Sequence, residues 1–418
     1  MYDPGQPVQR KVLKNGVTLL VQEQRTGDRV AGAVSFRMGT LYENDDEAGL
    51  SQVLVQTMAA GTTKMSPIEL KLRLLSIDAD LQPKSGPDFG QIEITTKREG
   101  APVAAALLGE IVLSPSFPDT SFESAKQAAV RRASEESESP IGATYSMLLR
   151  ALYRGSPFER PVSGTVVALS GSRRSDLAAL HKKFVVGGNA VVAFVGNFDG
   201  KRMMADLERI FGALPPGPTP APTGTIPAPL AADTVVTREA DYRMQSLAYG
   251  FPAPGYGEPD HVAFMVMTCY LASADRSPLV YWLPTQRIAA GVGVIYAPYP
   301  KRSSLSVYLG ATTDRWPAAR DSVEAVLKRL TTSVLDEGEW TTQIKRLQTS
   351  YFVNQNDPRS RASQMSYLEV VGRGYDYPRR FEAELLKLTP EDVRAAAARW
   401  FTHHAEATIA PRSSDSKL

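Results

Sequence analysis

The chain of 418 residues contains one cysteine, Cys269, so no intrachain disulfide can form, and a single thiol suits any compartment. It contains four histidines: His181, His261, His403 and His404. None has a histidine or cysteine three or four residues away, so no metal-binding cluster of that spacing exists. Solvated or helix-capping histidines are the expected reading. No apolar run approaches the roughly 18 residues that a membrane-spanning helix needs. Neither sign of charge dominates, with 47 basic and 45 acidic side chains and no basic block, which excludes nucleic acid as an expected partner. There is no G-x-S-x-G elbow and no phosphate loop. The opening Met1-Tyr2-Asp3-Pro4 lacks the basic and apolar regions of a leader. The expected location is cytoplasmic, or periplasmic if a leader has been removed.

Hydrophobic residues make up 43%, normal for a globular protein, and the length fits two domains of about 200 residues each. Asn15-Gly16, between apolar stretches at 8–13 and 18–21, predicts a hairpin with a two-residue turn. Strands are expected at 30–38, 80–83, 91–96 and 189–196, and helices from Gly49, from Ser66-Pro67 with Glu69 as capping partner, and over 101–113 and 121–138. The carboxylates Glu43, Asp45, Asp46 and Glu47 precede the first helix and favour its N-terminus. A proline-rich run from Leu214 through Pro227 and Pro229 predicts a semi-rigid linker at 214–232. It divides the chain into domains at 1–213 and 233–418.

The second half repeats the order of the first. Strands are expected at 245–251, 292–296 and 304–310, and helices at 259–272, 316–335 and 339–354. An acidic start leads into similar helices at 175–184 and 391–400, half a chain apart. Duplication explains the match. The expected fold class is α+β, two homologous domains, each a mixed or antiparallel sheet packed with helices.

The most informative stretch runs from Gly49-Leu50-Ser51-Gln52 through Val55-Gln56 to Ala60-Gly61-Thr62. In the inverted zinc motif H-x-x-E-H, histidines at i and i+4 share a helix face and hold the metal, and the glutamate is the base. Here those positions are Gln52, Val55 and Gln56. A glutamine amide is not among the usual zinc ligands, and valine takes no proton.

Together with Gly39-Thr40-Leu41-Tyr42-Glu43, Pro157-Phe158-Glu159-Arg160-Pro161-Val162-Ser163-Gly164-Thr165 and Leu388-Thr389-Pro390-Glu391-Asp392-Val393, this frame resembles the pitrilysin/insulinase family of zinc peptidases, in its mitochondrial-processing-peptidase-like branch. The resemblance covers both halves of the chain. It implies a duplicated half-clamshell, and it places the family's third zinc ligand, a glutamate on a later helix, at Ala133 to within a helix turn. It also implies an Arg–Tyr pair in the second half, which falls on Pro284 and Gly291. Proline there is expected to stop or kink its helix.

No replacement chemistry emerges. Cys269 lies in an apolar run and is expected in the core, with His261 out of reach. The expected function is a non-catalytic subunit of zinc-peptidase fold. It would bind no zinc itself and pair with a zinc-bearing homologue or a second copy of itself around an extended peptide. A scaffolding or peptide-binding protein without proteolytic role is the alternative, and an active metallopeptidase with atypical ligands is the third reading.

Overall fold

Apolar runs bounded by turn residues become strands in the computed structural model, which describes residues 7–25, 27–224, 230–299 and 302–412. The opening Met1–Pro4 and the linker prolines Pro227 and Pro229 lie outside the described residues. The first half carries β1 (Gln9–Val12), β2 (Thr18–Glu23), β3 (Arg29–Phe36), α1 (Leu50–Met58), α2 (Pro67–Ser76), β4 (Asp80–Ser85), β5 (Gly90–Lys97), α3 (Ala101–Leu113), α4 (Asp119–Glu138), α5 (Pro140–Tyr153), α6 (Val166–Gly171), α7 (Arg174–Phe184), β6 (Ala190–Gly196) and α8 (Gly200–Phe211). The second carries β7 (Thr234–Ala240), β8 (Gln245–Pro254), α9 (His261–Ala272), α10 (Trp282–Thr285), β9 (Gly291–Tyr296), β10 (Arg302–Ala311), α11 (Trp316–Thr332), α12 (Glu337–Asn356), α13 (Pro358–Val370), α14 (Tyr377–Leu385), α15 (Pro390–Trp400) and β11 (Ala405–Pro411).

Local chemistry sets the ends of these elements. The α2 capping box forms: the Ser66 N–H donates to Glu69 Oε2 at 2.8 Å, and the Glu69 N–H returns to Ser66 Oγ at 3.4 Å. The β1–β2 hairpin is not closed by the expected two-residue turn. Leu13 N–H bonds to Val17 O at 2.8 Å around Lys14, Asn15 and Gly16, with Gly16 at φ +97, the three-residue loop with a glycine bulge. The difference has a tertiary cause. The Asn15 amide donates to the carbonyls of Phe211 and Leu214 at 2.9 and 3.0 Å, tying the turn to the end of α8.

The first sheet has the order β1-β2-β6-β3-β5-β4 and the second β7-β11-β8-β10-β9. Only β2–β6 and β7–β11 are parallel. Without β1, the two orders superimpose strand for strand, including the parallel pair. The fold is a duplication of one α+β unit, as expected.

The linear domain boundaries need correction. One unit takes the described residues of Met1–Ala133, with Pro161–Gly224 and Tyr351–Tyr377; the other takes Ser134–Arg160 and the described residues of Thr225–Ser350 and Pro378–Leu418. The halves therefore exchange a helix: α5 belongs to the second sheet and α13 to the first. Up to 224, the proline-rich stretch is bonded to the first unit rather than standing free. Pro215 O accepts from Gly187 N–H at 2.8 Å, and Thr223 N–H donates to Leu41 O at 2.9 Å.

Both exchanged helices seat through buried hydroxyls as well as apolar contacts. On α13, Ala362, Met365 and Leu368 are buried. Ser366 Oγ lies 2.9 Å from Ser35 Oγ, and Ser363 Oγ donates to Gln91 Oε1 at 2.8 Å. On α5, Leu148, Leu149 and Leu152 are buried, and Thr144 Oγ1 lies 2.5 Å from Ser246 Oγ. A buried polar group must find its partner, so these bonds fix the register of each helix on its sheet.

The β4–β5 turn holds Asp88, 4% exposed, with the Tyr367 hydroxyl of α13 donating to it at 3.4 Å. Burial raises its carboxyl to about 6, against weaker opposing contributions from hydrogen bonds and from Arg373 and Arg37. In the unfolded chain the same group titrates near 3.8. Folding therefore favours the protonated form, and this contribution to stability is fullest below the unfolded value and is lost as pH rises through about 6. Asp88→Asn is expected to be more stable than the wild type by about 2–3 kcal/mol at about pH 8, with the gain shrinking toward about pH 4. Urea midpoints across that range test it, and a gain that does not vary with pH would contradict the assignment.

Candidate functional site

The start of α1 is built by residues that never reach the site. Glu43, 1% exposed, accepts the Gly49 N–H at 2.9 Å and the Ser51 N–H at 2.7 Å. It satisfies two of the orphan donors at the helix N-terminus and complements the helix dipole. Of the acidic cluster, Glu47 instead pairs with Lys183 at 2.9 Å. Gly49 stands at φ +92, and a Cβ on it would lie 2.8 Å from Gly164 Cα. Only glycine allows that backbone conformation and that approach together. Thr165 then caps α6 through its side chain. The family-like frame residues at 39–49 and 163–165 thus have a packing role.

From that fixed start, the helical period decides which side chains face outward. Val55, at the base position, is 1% exposed and points into the core. Gln52 is half-buried and Gln56 exposed. With Ala60 they form one wall of a cleft of about 440 Å³ whose other wall is α4, from Thr120 and Ser121 to Arg132. The Arg132 Nη1 donates to Gln52 Oε1 at 2.7 Å, and Gln56 Nε2 reaches Pro83 O on β4 at 3.5 Å.

The structure brings Gln52, Gln56 and Arg132 together. Ala133, the expected third position, is 5% exposed and does not line the cleft; its neighbour Arg132 does. Residues 121, 125, 128 and 132 recur at helical spacing, and that small-residue face of α4 was the signal that would have located it. Pro284 sits in the four-residue α10, which ends at Thr285 as expected, and Gly291 opens β9. Both belong to the second unit.

The histidine expectation needs correction for two of the four. His181 is half-buried with Nε2 2.8 Å from Val112 O, and burial lowers its pKa, which favours the neutral ring. His261 is 3% exposed with Nδ1 2.8 Å from the Tyr296 hydroxyl. His403 and His404 lie beside Asp233 at 3.5 and 3.3 Å. Cys269 is half-buried, and burial pushes its thiol up, away from the reactive thiolate.

The donor set of the cleft does not suit zinc. Two neutral amides and a guanidinium offer no imidazole, thiolate or carboxylate, and the guanidinium repels a dication. Among the described residues, no group of three His, Cys, Asp or Glu side chains could hold a metal, and no helix is long and apolar enough to cross a membrane.

Comparison with known proteins assigns the class. A family model described as Insulinase (Peptidase family M16) matches residues 18–166, and one described as Peptidase M16 inactive domain matches residues 173–347. The chain belongs to the M16 (insulinase) peptidase family. A Rickettsia felis protein named uncharacterized zinc protease is 21% identical over 364 residues, 87% of this chain and 86% of its own length. The beta subunit of the Saccharomyces cerevisiae mitochondrial-processing peptidase is 19% identical over 268 residues, 63% of this chain and 58% of its own. A Helicobacter pylori protease shares the fold at a TM-score of 0.88 and 16% identity, over 97% of this chain and 99% of that one.

Two outcomes follow from this geometry. Glu43→Ala leaves the Gly49 and Ser51 N–H groups without their acceptor and is expected to cost about 2–4 kcal/mol in urea unfolding, while Gln52→Ala and Gln56→Ala each change stability by about 0.5 kcal/mol or less. The triple variant Gln52→His, Gln56→His, Arg132→Glu is expected to retain about one equivalent of zinc after dialysis, whereas Gln52→His, Gln56→His, Ala133→Glu is not. Equal metal content in the two variants would contradict the placement of Arg132.

Proposed function

We propose that this chain is a non-catalytic subunit of peptidase fold. It pairs with a zinc-bearing homologue, or with a second copy of itself, and helps hold an extended peptide in the chamber formed by the pair. In this reading zinc resides in the partner.

The observation that carries the proposal is the paired replacement in the cleft. Gln52 and Gln56 face Arg132 where the family places ligands, and the base position holds the buried aliphatic Val55. A metallopeptidase needs a Lewis acid and a proton acceptor, and these side chains supply neither. That a similar protein is named as a subunit supports the partner half of the reading.

The peptide half is supported by β4, an edge strand that among the described residues pairs only with β5. An extended segment can add to such an edge. Pro83 lies within it, and its missing N–H faces the free side, because a proline in a strand cannot donate to the ladder. Its carbonyl is within reach of Gln56. An added peptide would therefore bond to the alternate residues Leu81 and Ser85 and skip Pro83.

The purified chain is expected to contain far less than one equivalent of zinc and to leave an unstructured peptide uncut. Co-expressed with an H-x-x-E-H homologue, it is expected to co-purify and to raise that homologue's turnover. Stoichiometric zinc with chelator-sensitive cleavage by the chain alone would overturn the proposal. Recovery with a partner of another kind, without effect on proteolysis, would favour the scaffolding alternative.

A further inference from the structure

Two clefts of about 440 Å³ occupy repeat-related places in the two units. In the first unit the cleft lies between α1 and α4, from Thr120 to Arg132. In the second it lies among the end of α9, the segment leading into α10, and the first turns of α12. Their electrostatics differ. The carboxylates that line the second cleft, Asp275 and Glu339, each hold an arginine: Arg346 bonds to Asp275, and Arg329 bonds to both oxygens of Glu339 at 2.7 and 2.8 Å. Both carboxylates there are paired within the protein, and Arg276, which lines the same cleft, forms no ion pair among the described residues.

The first cleft has no such compensation. Among the described residues, no Asp or Glu lines it, and Arg132 is its only charged side chain. The guanidinium donates to the neutral amide of Gln52 at 2.7 Å, and no carboxylate among the described residues forms an ion pair with it. Arginine only donates, so the oxygen of Gln52 must face Arg132, which leaves the Gln52 NH2 group free to donate elsewhere. The Gln56 amide and the hydroxyls of Ser121 and Ser124 add further donors around the same space.

We propose that this cleft binds a carboxylate, carried by an acidic side chain or by the free C-terminus of an extended peptide. The inference rests on the peptide-holding reading above for the source of the carboxylate. The planar fork of Arg132 matches the two oxygens of a carboxylate, and the glutamine amides donate to their remaining lone pairs. One cation among neutral donors suits a single negative charge better than a phosphate dianion. The positions at which the family grips a cation have become, in this chain, a seat for an anion.

Titration calorimetry on the full chain tests this with N-acetylated five-residue alanine peptides, the first two also amidated at the C-terminus. One carries a central glutamate, a second a central glutamine, and a third is all alanine with a free C-terminal carboxylate. At least one carboxylate-bearing peptide is expected to bind about tenfold more tightly than the glutamine peptide, and the tighter of the two names the source. Arg132→Gln is expected to erase that discrimination with an unchanged thermal midpoint, whereas Arg131→Gln, one residue away on the same helix, keeps it. Equal binding of all three peptides would overturn the carboxylate inference and leave the peptide-holding reading standing. Discrimination that survives in Arg132→Gln would overturn it as well. Absence of binding by any peptide would overturn both.

Discussion

A buried carboxylate fixes where α1 begins. Glu43 accepts two backbone N–H groups at the first turn, and the contact between Gly49 and Gly164 closes the other side. At that depth a lost hydrogen bond is not replaced by solvent, so the turn cannot shift without giving up both bonds. The phase of the helix follows. Val55 turns inward, and Gln52 and Gln56 turn toward α4. The cleft's position depends on residues outside it, which is why its contents can differ from the family's while its frame does not.

That division separates two groups of residues by physical role. Glu43, Gly49, Gly164 and Thr165 are held by packing and backbone hydrogen bonds. Gln52 is held by Arg132 and Gln56 by the Pro83 carbonyl, one bond each, and all three side chains are half-buried or exposed. Stability constrains the first group strongly and the second weakly. The second group is also internally consistent. An arginine facing two histidines would leave a cation among metal ligands, and two glutamines facing a glutamate would leave a carboxylate without its cation. Here one amide oxygen accepts from the guanidinium, which leaves a donor-rich set with one positive charge.

Much of this was legible in the sequence. Periodicity located the sheets' main strands, and the Ser66–Glu69 box and the proline at 67 marked the first residue of α2. The resemblance placed Gln52, Val55 and Gln56 on one helix. Other features depended on information that no local pattern carries. Whether residue 132 or 133 faces the cleft depends on the rotation of α4, and a mean spacing does not fix a rotation. The hairpin loop at Asn15 follows from acceptors at 211 and 214. His181 and His261 lie inside because a carbonyl on α3 and a tyrosine on β9 satisfy them, partners remote in sequence. Nothing local in the sequences of α5 and α13 says which sheet they cover.

The exchange of those two helices changes what the proline-rich stretch means. A linker between independent domains is a seam at which a chain can be divided. Here the first sheet's polar layer, with Ser35, Gln91 and the buried Glu93, is completed by Ser366, Ser363 and Arg359 from the far half of the chain. A stretch ending at 213 would keep that layer and lose its partners, leaving the buried Glu93 without Arg359. The second sheet would likewise lose α5. Duplication produced two copies of one unit, but the reciprocal helices make them a single folding problem. The cleft inherits this dependence, because β4 and β5, against which α1 packs, belong to the sheet that α13 completes.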